Sequence, residues 1–274
     1  MRWITVLAIL LISNCAFSQS WSGSDNFNSK TLNTNLWKNY DSILGIPLSA
    51  KFVKTLGAFT FYSTSSIEDT WGSRFWHEAL PKNASWEATI EASIDDLFTS
   101  DANDKYIEGL ITIAGNLTPQ TSYYTHCLHR SFTNFSLVPN WQVNGAPQQE
   151  YNYSLTNGNV VLKIQYDANS TTLKSSFAYA SDPKNFTQIH SLNVGNWTSN
   201  PSFYLLVGGY SWNAVVQSNI VVMDNFSIVP TGTNSNTTLV LQQSTNLINW
   251  SSLQTFNLYE TNSKSFYRLQ IQKQ

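Results

Sequence analysis

The sequence predicts an all-β protein, an antiparallel jelly-roll sandwich. Three observations carry this expectation. Helical periodicity is almost absent along the 274 residues. Short segments alternate apolar and polar residues instead, as in "ASWEATIEAS", where Trp86, Ala88, Ile90 and Ala92 alternate with Glu87, Thr89, Glu91 and Ser93. Turn residues separate these segments: Asn144-Gly145, Asn157-Gly158 and the run from Asp167 to Ser170. A strand that buries one face and wets the other reads this way, and many such strands joined by tight turns make a sandwich.

The elements follow in chain order. Arg2, the apolar run "ITVLAILLI" and the small residues Ala16 and Ser18 form an export signal over residues 1–18, with cleavage after Ser18. Cys15 opens a lipoprotein alternative, but Asn14 stands where such signals carry a small residue, so this ranks second. The apolar run is too short to span a bilayer and no second one follows. Strand segments then succeed one another: "WEATIEASI", "KYIEGLITIA", "SYYTHCLHRSF", "NVVLKIQYD", "TTLKSSFAYA", "PSFYLLVGGY" and "QSNIVVMDNFSIV". Residues 19–230 form this sandwich. "TGTNSNTT", 231–238, is a linker without apolar period, and 239–274 is a small β module.

Composition excludes several function classes. Fifteen Lys and Arg against seventeen Asp and Glu give a formal charge of -2, with no basic cluster to grip a phosphate backbone, so nucleic acid is not a partner. Only 12% of residues are charged, and polarity is carried by Asn, Ser and Thr, which suits a secreted or cell-surface β protein. After cleavage Cys127 is the one cysteine left, so no internal disulfide supports the fold.

The triplet Asp25-Asn26-Phe27 recurs as Asp224-Asn225-Phe226 near the other end of the sandwich segment. In a jelly roll the first and last strands lie side by side, which would send Phe27 and Phe226 into one core from neighbouring strands. The opening "DNFNSKTLNTNLWKNY", with Leu32 and Trp37, resembles the start of bacterial concanavalin-A-like (laminin-G-like) jelly-roll domains. The later strands, down to "VVMDNFSIVP", resemble the same pattern in order over about residues 20–230. The tail, with Ser244 to Leu247, Trp250 and Phe266 to Leu269, is similar to a short C-terminal module of secreted bacterial proteins. The first resemblance implies a fold that serves lectins, hydrolases, lyases and adhesion modules alike. It also implies a structural calcium where first and last strands meet, with Asp224 at the closing-strand ligand position and Asp25 and Asp41 as candidates by chain order. No other cofactor is required.

Catalytic signatures of the family are incomplete. Its glycoside hydrolases carry Glu-x-Asp-x-x-Glu on one strand; here Glu87 and Glu91 share a face, but Thr89 replaces the central Asp. Glu78 and Glu108 are lone acids. Alginate lyases carry Gln-Ile-His, which Gln188 to His190 reproduce, but their basic strand and their closing Tyr strand are missing. His126 and His129 in "HCLH" face opposite ways on a strand, so they cannot converge on one metal. What remains is aromatic: Trp71, Trp76, Tyr123, Tyr124, Trp141, Tyr210 and Trp212 lie in polar strands or near turns, with His126 and Arg130 on the strand face of Tyr124. Such rings can stack on sugars.

The expectation is therefore a secreted, non-catalytic, lectin-like protein whose partner is a polysaccharide or glycan. A polysaccharide-active enzyme using Glu78, Glu87, Glu91 or Glu108 is the runner-up, and a structural or adhesion module the third reading. N-terminal sequencing of the exported protein is expected to start at Gln19. A lipid-modified Cys15 at the N-terminus would show the other signal type.

Overall fold

The computed structural model describes residues 21–29, 31–39, 50–55, 57–63, 70–95, 105–116, 121–131, 134–197, 202–231, 237–243 and 251–258. At 39, 50–55, 71, 218–219, 237–243 and 251–258 it describes the backbone alone. The chain divides into two compact units, one of which is Ser20–Thr231.

In that unit the strands are β1 (Gly23–Asp25), β2 (Trp37–Asn39), β3 (Ala50–Thr55), β4 (Ala58–Ser63), β5 (Thr70–Trp76) and β6 (Leu80–Pro81). There follow β7 (Trp86–Ile94), β8 (Tyr106–Ala114), β9 (Tyr123–Ser131), β10 (Phe135–Gln142), β11 (Gln149–Glu150) and β12 (Tyr153–Leu155). The last are β13 (Asn159–Asp167), β14 (Thr172–Tyr179), β15 (Thr187–Asn193), β16 (Ser202–Trp212) and β17 (Val216–Pro230). They form two antiparallel sheets. The eight-stranded sheet runs β15-β14-β13-β7-β17-β4-β3, with β1 paired to β17. The nine-stranded sheet runs β11-β10-β9-β8-β16-β5-β2, with β12 on β10 and β6 on β16. In the other unit the described residues form the hairpin β18 (Thr237–Gln243) and β19 (Ser251–Leu258). Strand β18 begins two residues before the expected end of the linker, because Thr237 and Thr238 pair with Leu258 and Asn257. Ser244 to Leu247, Trp250 and Phe266 to Leu269 lie outside the described residues.

Alternation governs the packing. Along β7 every second residue is buried, from Trp86 to Ile94, while Glu87, Thr89, Glu91 and Ser93 face outward. The inward residues of both sheets form one apolar cluster. The recurring triplet occupies the expected place. Strand β1 pairs with the end of β17, Asp25 opposite Phe226, and both Phe27 and Phe226 are fully buried. Their rings meet Trp37 at 5.9 and 4.9 Å, and Trp37 also packs on Phe59 and Trp76. Buried indoles need acceptors for their N–H. Trp37 Nε1 donates to Asp25 Oδ2 (3.0 Å), Trp76 Nε1 to the Trp21 carbonyl (2.8 Å) and Trp86 Nε1 to the Pro81 carbonyl (3.0 Å).

Strands β10 and β15 are among those that the segments read from the sequence did not include. Strand β10 contains Pro139, which would break a ladder by lacking an N–H. It is tolerated between the short partners β12, which ends its pairing at Leu137, and β11, which starts at Asn140. Strand β15 is an exposed edge strand with too few apolar residues to show a period.

The two sheets approach closely at Gly109 and Gly209, Cα partners on β8 and β16. A Cβ on Gly209 would lie 2.3 Å from Phe61 Cγ, and one on Gly109 3.0 Å from Met223 Sδ. Gly209→Ala is expected to destabilise the domain by about 1–3 kcal/mol through overpacking, read as a lowered denaturation midpoint. Gly145, whose Cβ would meet nothing within 4 Å but whose φ is 77°, is expected to cost less on the same substitution, and only through its backbone.

Candidate functional site

The outer face of the nine-stranded sheet gathers the side chains that can meet a ligand. Along β8, Ile107, Ile111 and Ile113 enter the core, so Tyr106, Glu108, Leu110, Thr112 and Ala114 point outward. The register places His129 of β9 opposite Glu108, and Cys127 opposite Leu110. On the other side Trp212 of β16 stands opposite Tyr106, and Tyr210 opposite Glu108. Cys127, Val138 and Leu206 share this outward face and are nevertheless buried, so small groups form a floor between larger side chains.

Tyr106 is the centre of an aromatic row. Its ring lies 4.8 Å from that of His129, 5.6 Å from Tyr210 and 6.5 Å from Trp212, the last pair only 15° from parallel. Trp212 is 36% exposed and supplies the open end of the row. At the other end of the same face Phe75, Tyr123 and Tyr204 pack on Ala114 and Leu206. Beneath the row, His129 Nδ1 lies 2.9 Å from Glu108 Oε1, with both side chains largely buried. The carboxylate orients the imidazole and sets which ring nitrogen it holds. Burial and the neighbouring Glu108 push the Cys127 thiol well above its ordinary pKa, and its S–H donates to the Val138 carbonyl at 2.9 Å. A thiol so held is not a nucleophile.

The structure sorts the sequence candidates. Tyr210 and Trp212 belong to this row, and Tyr123 to the second group, its hydroxyl donating to Gln148 Oε1 at 2.8 Å. Trp71 lies in β5 opposite Tyr210, but its side chain is outside the described residues. Three expectations are corrected: Trp76, Tyr124 and His126 are core residues, not surface ones. The face of β9 that carries Tyr124 and His126 looks into the sandwich, and so does Trp76 at the end of β5. There Tyr124 donates to Ser175 Oγ (2.7 Å), and His126 Nε2 bonds the Ser176 carbonyl (3.0 Å). Arg130 does not join a sugar-facing row with Tyr124; its guanidinium covers the Phe135 ring at 4.2 Å. Trp141 is half-buried at the sandwich edge, stacked on His190 at 4.2 Å. His190 in turn bonds the Tyr124 hydroxyl, so the Gln-Ile-His strand spends its imidazole on a structural contact. Tyr106 and the Glu108–His129 pair were missed as a group. The alternation of "KYIEGLITIA" already put Tyr106 and Glu108 on one face, but the register that brings His129 and Trp212 beside them is tertiary.

Glu87 and Glu91 do not meet Glu108 as a glycosidase pair requires. Glu87 and Glu91 face outward from the opposite sheet, roughly 13 Å apart along the strand. Glu78 accompanies His77 at 3.5 Å on the loop after β5. Asp224 is the Cα partner of Glu91, whose Oε2 accepts from Asn225 Nδ2 at 3.0 Å. Asp25 accepts from Phe27 N at 2.8 Å as well as from Trp37, so each of its oxygens holds an N–H. Asp41 is outside the described residues. Among the described residues no three of His, Cys, Asp and Glu gather as a metal site.

With this geometry the fold can be placed. The endo-1,3-beta-glucanase of Streptomyces sioyaensis is similar at a TM-score of 0.52 and 11% identity, covering 75% of this chain and 94% of that one. The Bacteroides ovatus xyloglucan PUL GH43B protein is similar at 0.52 and 12%, covering 76% of this chain and 39% of that one. This chain therefore spans about two-fifths of the GH43B protein. Lectin II from Ulex europaeus gives 0.48 at 12%, covering 76% and 97%. No protein-family model matches the chain. None of the curated proteins matches it either. The first two likenesses establish a concanavalin-A-like jelly-roll sandwich and, at these identities, the fold alone.

His126 provides a pH test of the core beneath the face. Burial lowers its pKa to about 4, the Ser176 carbonyl opposing and His190 assisting. Burial lowers that of His190 as well. Because the folded-state value lies below the unfolded one near 6.5, the unfolded chain takes the proton first as pH falls. Stability is full above about pH 6.5 and is lost between there and about pH 4. From pH 7 to pH 5 the loss attributable to His126 is expected to be about 2 kcal/mol in denaturant titrations. His126→Gln, which keeps a donor for the Ser176 carbonyl, is expected to flatten that dependence.

Proposed function

We propose that this chain is an exported carbohydrate-binding protein that holds a polysaccharide or glycan on the outer face of its nine-stranded sheet. The observation that carries this reading is the aromatic row of Tyr106, Tyr210 and Trp212, lying beside the half-buried Glu108–His129 pair. Aromatic faces attract the C–H side of a pyranose, and a fixed carboxylate and imidazole offer directed partners to its hydroxyls. The likeness to two proteins whose names denote glycan-acting enzymes supports the reading at the level of fold. Trp212 is the most exposed ring of the row, so it can change its partner from water to sugar without disturbing the core.

Retention on polysaccharide affinity gels and calorimetry with soluble oligosaccharides test this. Trp212→Ala is expected to weaken binding about tenfold or more, a loss of about 1–2 kcal/mol, with little change in melting temperature. Binding that is unchanged in Trp212→Ala and in Tyr210→Ala would move the site elsewhere. The Glu108–His129 pair also favours a second reading, a polysaccharide-active enzyme of the same fold. Release of reducing ends that is lost in Glu108→Gln would establish it. Absence of both binding and release would leave a structural or adhesion module.

A further inference from the structure

We infer that the side of the sandwich between the edge strands β11 and β15 is a second ligand site, which seats one sugar residue of a glycan on the Tyr151 ring with His190 accepting from one of its hydroxyls. This site is independent of the sheet-face reading, because it uses other residues and draws them from both sheets. Strand β11 ends the nine-stranded sheet and β15 the eight-stranded one. Trp141 of β10 is the Cα partner of Tyr124, a core residue, and so points toward the gap between the sheets. His190 of β15 is the partner of the fully buried Ser175 and enters the gap from the other sheet.

The rings are held before any ligand arrives. A register shift between Ser175 and Ser176 leaves Ile189 without a partner between Gln188 and His190. A bulge of this kind re-aims an edge side chain. The His190 and Trp141 rings stack at 4.2 Å, 21° from parallel. These two rings close the gap. Tyr151, next after β11, is fixed by its N, which donates to the Pro139 carbonyl at 2.9 Å. Its ring lies 6.3 Å from that of His190 and 25° from parallel. Yet Tyr151 is 47% exposed, the most exposed aromatic side chain among the described residues. A flat ring held in line with a stacked pair, with its surface left to water, is preorganised for a ligand, which lowers the ordering cost of binding.

The chemistry offered is that of hydroxyl recognition beside a π face. The structural bond to Tyr124 uses His190 Nδ1 alone. Because the Tyr124 hydroxyl donates to Ser175 Oγ, its 3.0 Å contact with His190 requires the imidazole proton on Nδ1. The neutral ring then carries its lone pair on Nε2, an acceptor that no described residue uses. Burial lowers the His190 pKa, which keeps the ring neutral and that lone pair open at neutral pH. Glu150, the neighbour of Tyr151, is the partner of Asn140, whose Nδ2 lies on Cys127 of the outer face, so its carboxylate is turned away from the rings. An electron-rich ring face with one fixed acceptor matches a pyranose, which has C–H groups on its flat side and hydroxyl donors round its rim.

Isotope-labelled full-length protein, titrated with the methyl glycosides of glucose, galactose and mannose and separately with indole, tests the site by NMR. At least one glycoside is expected to shift the His190 Nε2 and Trp141 Nε1–H signals, saturating at about 1–10 mM. Tyr151→Ala, at an exposed position outside the strands, is expected to weaken that response about tenfold or more. His190→Phe keeps a ring on Trp141 but removes the acceptor, and is expected to weaken the Trp141 response by a similar factor. Tyr151→Ala decides the matter if His190→Phe does not fold. The inference is overturned if no glycoside gives saturable shifts at these signals, if indole alone does, or if either variant folds and responds like the wild type. Polysaccharide retention lost in Trp212→Ala while these signals still respond separates the two sites. Retention without any response at His190 and Trp141 sinks this inference alone.

Discussion

The hydrogen bond from Trp37 to Asp25 joins everything that closes this sandwich. Trp37 belongs to an edge strand of the nine-stranded sheet, yet its ring touches Phe59 and Phe226 of the other sheet, and Phe27 beside β1. An indole placed there would leave its N–H without water. An unmade bond of that kind costs about 1–3 kcal/mol, a large share of a domain's net stability. Asp25 removes that cost, and with its second oxygen it bonds Phe27 N, whose residue has a φ of 51°. The same carboxylate thus fixes the indole and the turn that aims Phe27 inward. With Cys127 a free thiol, burial rather than covalent linkage holds the first strand against the last.

The interior between the sheets is not purely apolar, and its polar contacts have a consistent logic. Tyr124 and His126, on adjacent inward positions of β9, reach across to Ser175 and to the Ser176 carbonyl on β14. Thr70 bonds Ser63 of the other sheet and Ser211 beside it in its own sheet. A buried polar group that finds its partner specifies one alignment of two sheets, since sliding would strand it. Burial raises the Tyr124 hydroxyl pKa and lowers that of His126, so both remain neutral where a charge could not be solvated.

The outer face of the nine-stranded sheet is freed for other work by this arrangement. Since the inward positions of β8, β9 and β16 already supply the core, the outward ones need not be apolar for stability. They carry instead Tyr106, Glu108, His129, Tyr210 and Trp212, whose mutual stacking holds them in place without covering the outer side of Trp212.

The alternation of one segment was enough, without a structure, to predict which residues of β7 enter the core, because a strand turns successive side chains to opposite sides whatever surrounds it. The recurring triplet likewise announced Phe27 and Phe226 as neighbours in one core. Local pattern also separated His126 from His129. It could not separate Trp76, Tyr124 and His126 from surface residues, because polar tips look solvent-facing until their partners are known. Those partners, the Trp21 carbonyl, Ser175 and the Ser176 carbonyl, are 50 or more residues away in the chain. For the same reason the sequence contained Tyr106, His129 and Trp212 but not the row they form. Which residues share a face is a property of one strand and is written in its period; which faces meet is a property of register between strands, and only the folded pairing of β9, β8 and β16 decides it.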